Sequence, residues 1–294
     1  LAEFVQDDSP DLVRLRKVID ELRAVRTKVS AERKATWREV ENFPLLDYKE
    51  EEVARQITLI DAELFCALDL RECLNNQFMD PVKSPTFAAM TQRFNDWGRF
   101  VPSEVVKREK ESQRIAVLAH FIGIADQLLD MRNYNGAFAI YAGLNSSYVT
   151  RLKKTWAKLD KKALARFARL EEFMSISKNY KNYRDELRDA APPLVPYFGL
   201  YPKYLFSIEE NNPTFLDDGM VNFAKMRLFS KVIKEIKHYQ EQADFKFKRK
   251  DKIYSGLRKL EALDERTIHS LSLKLEPPAG AQSETTVINP LMNL

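Results

Sequence analysis

Histidine and cysteine are scarce in this chain of 294 residues, which holds three of the first and two of the second. His120, His238 and His269 are widely spaced, and no HExxH, CxxC or G-x-S-x-G pattern occurs. Those absences exclude the common helix-borne zinc site, the dithiol redox pair and the serine nucleophile elbow. No G-x-x-x-x-G-K-[ST] occurs either, which excludes a phosphate-cradling P-loop. His120 falls inside an apolar run, where a satisfied core histidine is the plainer reading than a ligand. With 8 glycines and 13 prolines the chain is not collagen-like or low in complexity. No apolar run approaches the ~18 residues of a membrane span. The opening "LAEFVQDDSP" lacks the charged-then-apolar layout of a signal peptide. Cys66 and Cys73 stand seven apart in a helical-looking segment, too distant for a disulfide. Both are read as small buried apolar residues, which suits a reducing compartment.

What is present is helix-forming. Hydrophobic residues make up 45% and charged residues 31%, the balance of a soluble globular domain. The net charge of +4 is too mild to require a nucleic acid. "FKFKRKDK" (245–252) interleaves aromatics with lysines and is a weak nucleic-acid or acidic-membrane signal. Its plainer reading is a solvated loop anchored by two phenylalanines.

Leu15, Val18, Leu22, Val25 and Val29 form one helical stripe, too short for a coiled coil. The expectation is an N-terminal helical segment, residues 1–45, packed on the domain that follows. From Val53 the pattern is helical almost throughout. Ile57, Ile60, Leu64, Ala67 and Leu68 share a face. "RIAVLAHFIGIADQLLDM" is apolar nearly all round and reads as a central buried helix. A long amphipathic helix is expected after Pro213, with Val221, Ala224, Leu228, Val232 and Ile236 along it. No strand series with turn signals occurs, so the expected fold is all-α. Residues 279–294 lack periodicity and read as a flexible tail.

"YFGLYPKYLFSIEENNP" (197–213) raises a sharper question. Gly199 breaks regular structure, and Pro202 is tolerated in a first turn, so a helix is expected from Leu200 to Glu209 or Glu210. At about 100° per residue, Tyr201, Tyr204, Leu205 and Ile208 form a stripe suited to a core or partner helix. Lys203, Phe206, Ser207 and Glu210 form the opposite stripe. An exposed aromatic alone is ordinary. Two glutamates at a helix C-terminus, however, sit against the macrodipole. "ENNP" then turns the chain into the next helix, which gives a hairpin whose outer face carries an aromatic wedge and a carboxylate. A carboxylate placed where a phosphate sits repels that phosphate, and a bulky apolar neighbour can exclude its magnesium ion. Such a pair weakens nucleotide binding on a partner.

These residues belong to a longer run of blocks. "ARQITLIDAELF" (54–65), "RFNDWGRFV" (93–101), the segment 114–156 containing "RNYNG" and "GLNSS", "NYKNYRDEL" (179–187), "PPLVPYFGLYPKYLFSIEENNP" (192–213), "DGMVNFAKMRLFSKVIKEI" (218–236) and "LSLKLEPP" (271–278) occur in order. In sequence and order they resemble the catalytic domain of guanine-nucleotide exchange factors for Ras-like GTPases, of the Son of sevenless and Rap exchange factor type. The resemblance covers roughly residues 50 to 278, within an expected catalytic domain spanning 46–278. It implies a large multi-helical domain with a protruding antiparallel helical hairpin that prises open a GTPase's nucleotide pocket.

By that resemblance Phe206 and Glu210 are the residues that approach the partner's magnesium and phosphate. Leu144 and Tyr180 are expected to form an apolar pocket for the GTPase, and Asn145 and Asn179 to supply hydrogen bonds. Gln92, Ser207 and Asn212 complete the expected contact set. Asn133 and Asn135 fall in a matching block too, but are read as helix caps. Phe100 stands where the family usually has tryptophan, Asn211 replaces the glycine of the EEGN turn, and Pro202 and Phe206 are unusual at their positions. Asparagine tolerates the left-handed backbone such a glycine serves.

The implied activity is exchange of GDP for GTP on a Ras- or Rap-subfamily GTPase, with no bond chemistry, cofactor or metal of the chain's own. The implied setting is cytoplasmic, at the inner membrane surface, with recruitment through regions outside this chain and with no nucleic acid as partner. The competing reading is an adaptor of the same fold that binds without promoting exchange.

Overall fold

Residues 44–278 are described by a computed structural model, and among them every regular element is a helix. Besides short 3-10 helices at Leu45–Asp47, Leu70–Cys73 and Gln77–Met79, the α-helices in chain order are α1 (Glu50–Cys66), α2 (Pro85–Val106), α3 (Glu111–Asp130), α4 (Tyr134–Leu144), the single-turn helices α5 (Ser147–Thr150) and α6 (Lys153–Ala157), α7 (Lys161–Phe173), α8 (Lys181–Asp189), α9 (Leu200–Asn211), α10 (Phe223–Gln242), α11 (Asp251–Arg258) and α12 (Glu265–Leu275). The all-α expectation holds. No helix among the described residues is long and apolar enough to cross a membrane. The expected N-terminal segment, apart from Pro44 and Leu45, and the tail at 279–294 lie outside the described residues.

Helix α3 occupies the centre, as its all-round apolar pattern predicts. Val117, Leu118, Phe121, Ile122, Ile124, Ala125 and Leu128 are each at most 2% exposed. A helix apolar on every side needs neighbours on several sides, and α1, α4 and α7 supply them. Each such Leu, Ile or Phe contributes roughly 2 kcal/mol by leaving water.

A polar centre ties this scaffold together. Asn133 Oδ1 accepts the Gly136 N–H at 2.9 Å, which caps α4 as expected. Its Nδ2 donates to Asp61 Oδ2 on α1 at 3.0 Å. Asp61 also faces Arg93 Nε of α2 at 3.4 Å, and Arg93 Nη1 donates to the Leu257 carbonyl of α11 at 2.6 Å. Burial outweighs the mutual attraction, so the Asp61 carboxyl is held above its ordinary range and the Arg93 guanidinium below its own. Asn135 does not cap a helix. Its Oδ1 accepts the Phe198 N–H at 3.3 Å and fixes the chain just ahead of α9.

Helices α9 and α10 pack against each other. The Tyr201 hydroxyl donates to Glu235 at 3.1 Å, while Glu209 pairs with Lys225 at 3.1 Å. Rising numbers on α9 meet falling numbers on α10, so the two run antiparallel. A tight turn joins them. Phe215 and Val221 form a bridge, Leu216 N–H donates to the Met220 carbonyl at 2.8 Å, and Asn222 N–H donates to the Thr214 carbonyl at 2.9 Å. Gly219, at φ +79°, takes the left-handed residue of that turn at no steric cost.

Three expectations need correction. Cys66 ends α1 and is exposed, and only Cys73 is a small buried residue. The long helix begins at Phe223, and its buried line is Lys225, Phe229 and Ile236 rather than the phase through Val221, Ala224 and Leu228. Val221 and Leu228 are 43% and 42% exposed. Phe229, Val232, Ile233 and Ile236, spaced as one helical stripe, turn toward the core, and Lys225 on the same side pairs with Glu209. Asn211 stays inside α9 rather than adopting a left-handed backbone.

Candidate functional site

Helix α9 presents the two-faced pattern its sequence predicts. Gly199 stands at its N-cap, and Pro202 lies in the first turn, where its missing N–H has no acceptor to lose. At the other end Asn211 Nδ2 donates to the Ser207 carbonyl at 2.8 Å and Asn212 Nδ2 to the Ile208 carbonyl at 2.9 Å. These side chains satisfy carbonyls that the last helical turn leaves open. Tyr201 and Leu205 are buried, and Tyr204 and Ile208 half-buried, on the inner face. Lys203, Phe206, Ser207 and Glu210 are exposed on the outer face.

The adjacent glutamates part company here. Glu209 is paired with Lys225, which is only 3% exposed and also donates to Thr214 Oγ1 at 3.0 Å. The Glu210 side chain is exposed and makes no ion pair or hydrogen bond among the described residues. The helix dipole therefore bears one acid compensated by a buried lysine and a second left facing solvent. Phe206, one turn earlier and 44% exposed, lies beside that second acid.

Below α9 the chain takes an unusual path. Lys178, Asn179 and Tyr180 all have positive φ, at 49°, 57° and 58°, without a glycine among them. Tyr180 then opens α8. The Lys203 ammonium lies 5.7 Å from the centre of the Tyr180 ring, and Asn179 and Tyr204 line the same cavity. Tyr180 also meets Tyr197 edge-on at 6.0 Å, and Tyr197 stacks on Phe138 of α4 at 4.0 Å and 4°. Burial raises the Tyr204 phenol above its ordinary range and pushes Tyr197 up to about 12, so both stay neutral in this wall. A cavity of about 750 Å³ opens between α8 and the α9–α10 pair, lined among others by Asn179, Arg184, Tyr204, Ser207 and Glu235.

The remaining expected contact residues are spread around this centre. Gln92 is exposed on α2, donates to Asp96 Oδ1 at 2.6 Å, and lines a second cavity of about 530 Å³ with Gly199 and Pro202. It thus flanks the root of α9 on the side away from Asn179. Asn145 is exposed at the end of α4, roughly 10 Å along the helix from Phe138. Leu144 requires a correction: its exposure is 0%, so it supports the surface from beneath and offers no apolar wall to a partner. An aliphatic residue in the last turn of a helix that is buried on most sides has nowhere else to go.

Sequence reasoning missed Lys225, Tyr204 as a site residue and the turn beyond α9. In that turn Phe215, Met220 and Phe223 are 61%, 62% and 70% exposed. A lysine spaced among apolar residues of an amphipathic helix was the available sign for the first. Apolar residues beside Asp217, Asp218 and Gly219 were the sign for the last.

The described site is a surface on an all-α domain: an exposed acid and an aromatic on one helix, a left-handed turn below it, and an aromatic wall between. The chain belongs to the RasGEF domain family, whose pattern matches residues 52–227. It is 40% identical over 227 residues to Ras guanine nucleotide exchange factor D of Dictyostelium discoideum, covering 76% of this chain and 34% of that protein. It is 36% identical over 230 residues to Ras-specific guanine nucleotide-releasing factor 2 of Danio rerio, covering 77% of this chain and 18% of that protein. With Ras-specific guanine nucleotide-releasing factor 1 of Homo sapiens the figures are 33% over 238 residues, 80% and 19%. The chain therefore spans about a third or less of the length of these relatives.

Proposed function

We propose that this domain is a guanine-nucleotide exchange factor for a small GTPase of the Ras or Rap subfamily. The observation that carries the reading is the contrast on α9: Glu209 serves the fold through Lys225, while Glu210 and Phe206 face outward together. Family membership and the names of the relatives support the same reading.

In this mechanism α9 and α10 enter the partner as a hairpin. The Glu210 carboxylate competes with the nucleotide's phosphates for their hydrogen-bond donors, and Phe206 occupies space the magnesium ion needs. Asn145, Asn179, Tyr180 and Gln92 hold the GTPase, with Ser207 and Asn212 alongside the wedge. The complex without nucleotide is stabilised relative to the one with it, so GDP leaves and GTP can bind. The domain forms and breaks no covalent bond. Its GTPase is membrane-anchored, and recruitment to that surface works through regions outside this chain.

The test is release of labelled GDP from a panel of Ras and Rap GTPases. The expected result is acceleration on at least one of them, and a rate equal to spontaneous release on all would overturn the reading. A second reading, binding without exchange, draws on the apolar turn at 215–223, which offers contact surface beyond the wedge. Complex formation with no nucleotide release would select it.

A further inference from the structure

Three consecutive left-handed residues that are not glycine are costly, because each brings Cβ against its own backbone. Asparagine tolerates that region, but Lys178 and Tyr180 have no local means of doing so. Within the turn the Asn179 and Lys181 amides donate to the Ile176 and Ser177 carbonyls, and a side chain from α8 adds to them. Arg184, one turn into α8, donates from Nε to the Asn179 carbonyl at 2.8 Å and from Nη2 to the Lys178 carbonyl at 3.0 Å. One planar guanidinium thus binds two successive carbonyls of the strained segment, in a fork that a lysine ammonium does not reproduce.

The turn is where the candidate surface meets α9. Tyr180 lies beneath Lys203, and Asn179 and Tyr204 face one cavity of about 750 Å³ between α8 and the α9–α10 pair. The backbone of residues 178–180 sets where the Asn179 and Tyr180 side chains stand.

We propose that Arg184 is a positioning residue: its guanidinium holds residues 178–180 left-handed and so fixes where Asn179 and Tyr180 face α9 and the partner. This rests on the exchange reading above. Arg184 need not touch the GTPase. It acts through the turn, and releasing it lets the turn relax and the two side chains leave their places.

The test is a rescue. Arg184→Ala is expected to slow GDP release about five- to tenfold, the scale of one or two hydrogen bonds from a charged donor. Lys178→Gly alone is expected to leave the rate within about twofold, since glycine adopts positive φ freely. The double variant, Lys178→Gly with Arg184→Ala, is expected to regain most of the lost rate. A direct contact between Arg184 and the GTPase would not be repaired by a glycine six residues away, and measuring the rate per folded molecule removes any general change in stability. An Arg184→Ala rate equal to the starting protein, or a double variant no faster than Arg184→Ala, overturns the proposal.

A second readout needs no GTPase. The Asn179 and Lys181 amides donate to the Ile176 and Ser177 carbonyls at 3.1 and 3.2 Å. Their hydrogen exchange is expected to accelerate in Arg184→Ala and to slow again in the double variant. Unchanged protection in Arg184→Ala overturns the pin itself. A protein that releases no GDP from any GTPase, yet shows the expected change in protection, would sink the exchange reading and leave the pin standing.

Discussion

Helix α3 and the α9–α10 arm draw on similar residue types and use them oppositely. On α3 the large apolar side chains face inward from every side of the helix. On the arm and its turn, Phe206, Phe215, Leu216, Met220, Val221, Phe223 and Leu228 are all more than 40% exposed. The difference teaches where stability and recognition reside. Burial around α3, and in the cluster that Tyr201, Leu205, Phe229 and Ile236 join at the arm's inner face, supplies the folding energy, and the arm's outer apolar surface stands apart from both.

The largest effect should come from the scaffold. Phe121→Ala is expected to cost about 3–5 kcal/mol of stability in denaturant titration, through a cavity at the centre of α3. The release rate per folded molecule should stay near that of the unaltered protein, and a selective loss of exchange would break the division of labour. The adjacent glutamates sharpen it. Glu209→Ala is expected to cost about 2 kcal/mol, because it leaves the Lys225 charge at 3% exposure without its carboxylate. Glu210→Ala should change stability by no more than about 0.5 kcal/mol while slowing GDP release about tenfold. Equal effects from the two on stability would erase the contrast between them. Phe206→Ala is expected to slow release about fivefold, again with stability within about 0.5 kcal/mol. The smallest effect is expected from Phe215→Ser, with both stability and release rate close to the starting values. Loss of GTPase binding in that variant, with release from preformed complex intact, would shift weight to the binding reading.

Much of the fold was legible because periodicity reports burial directly. The centrality of α3, the start of α9 after Gly199 and the two faces of α9 all follow from spacing alone. The phase of α10 did not. Its apolar residues permit neighbouring registers, and the stripe through Phe229, Val232, Ile233 and Ile236 is the one that packs, with Lys225 on its edge paired to Glu209 on another helix. Leu144 marks a different limit. A block resemblance carries over which residue stands at a position, but its depth depends on the helices around it, here α2 and α3 packed against α4. The left-handed run at 178–180 was hidden because it holds no glycine, and Arg184, which binds its carbonyls, looks like one more charge on a polar helix. Glu210 was legible as surplus. Only the geometry separated it from Glu209.

Lys225 has a mechanical consequence. Its ammonium joins Glu209 on α9 to Thr214 in the turn, while its backbone belongs to α10. Glu209, Thr214 and Lys225 thus tie α9, the turn and α10 to one another at the arm's far end. Toward its base a cavity lies on either side of α9, with the Lys203–Tyr180 contact across one of them. Under the exchange mechanism proposed above, the two helices enter the partner already joined at that end.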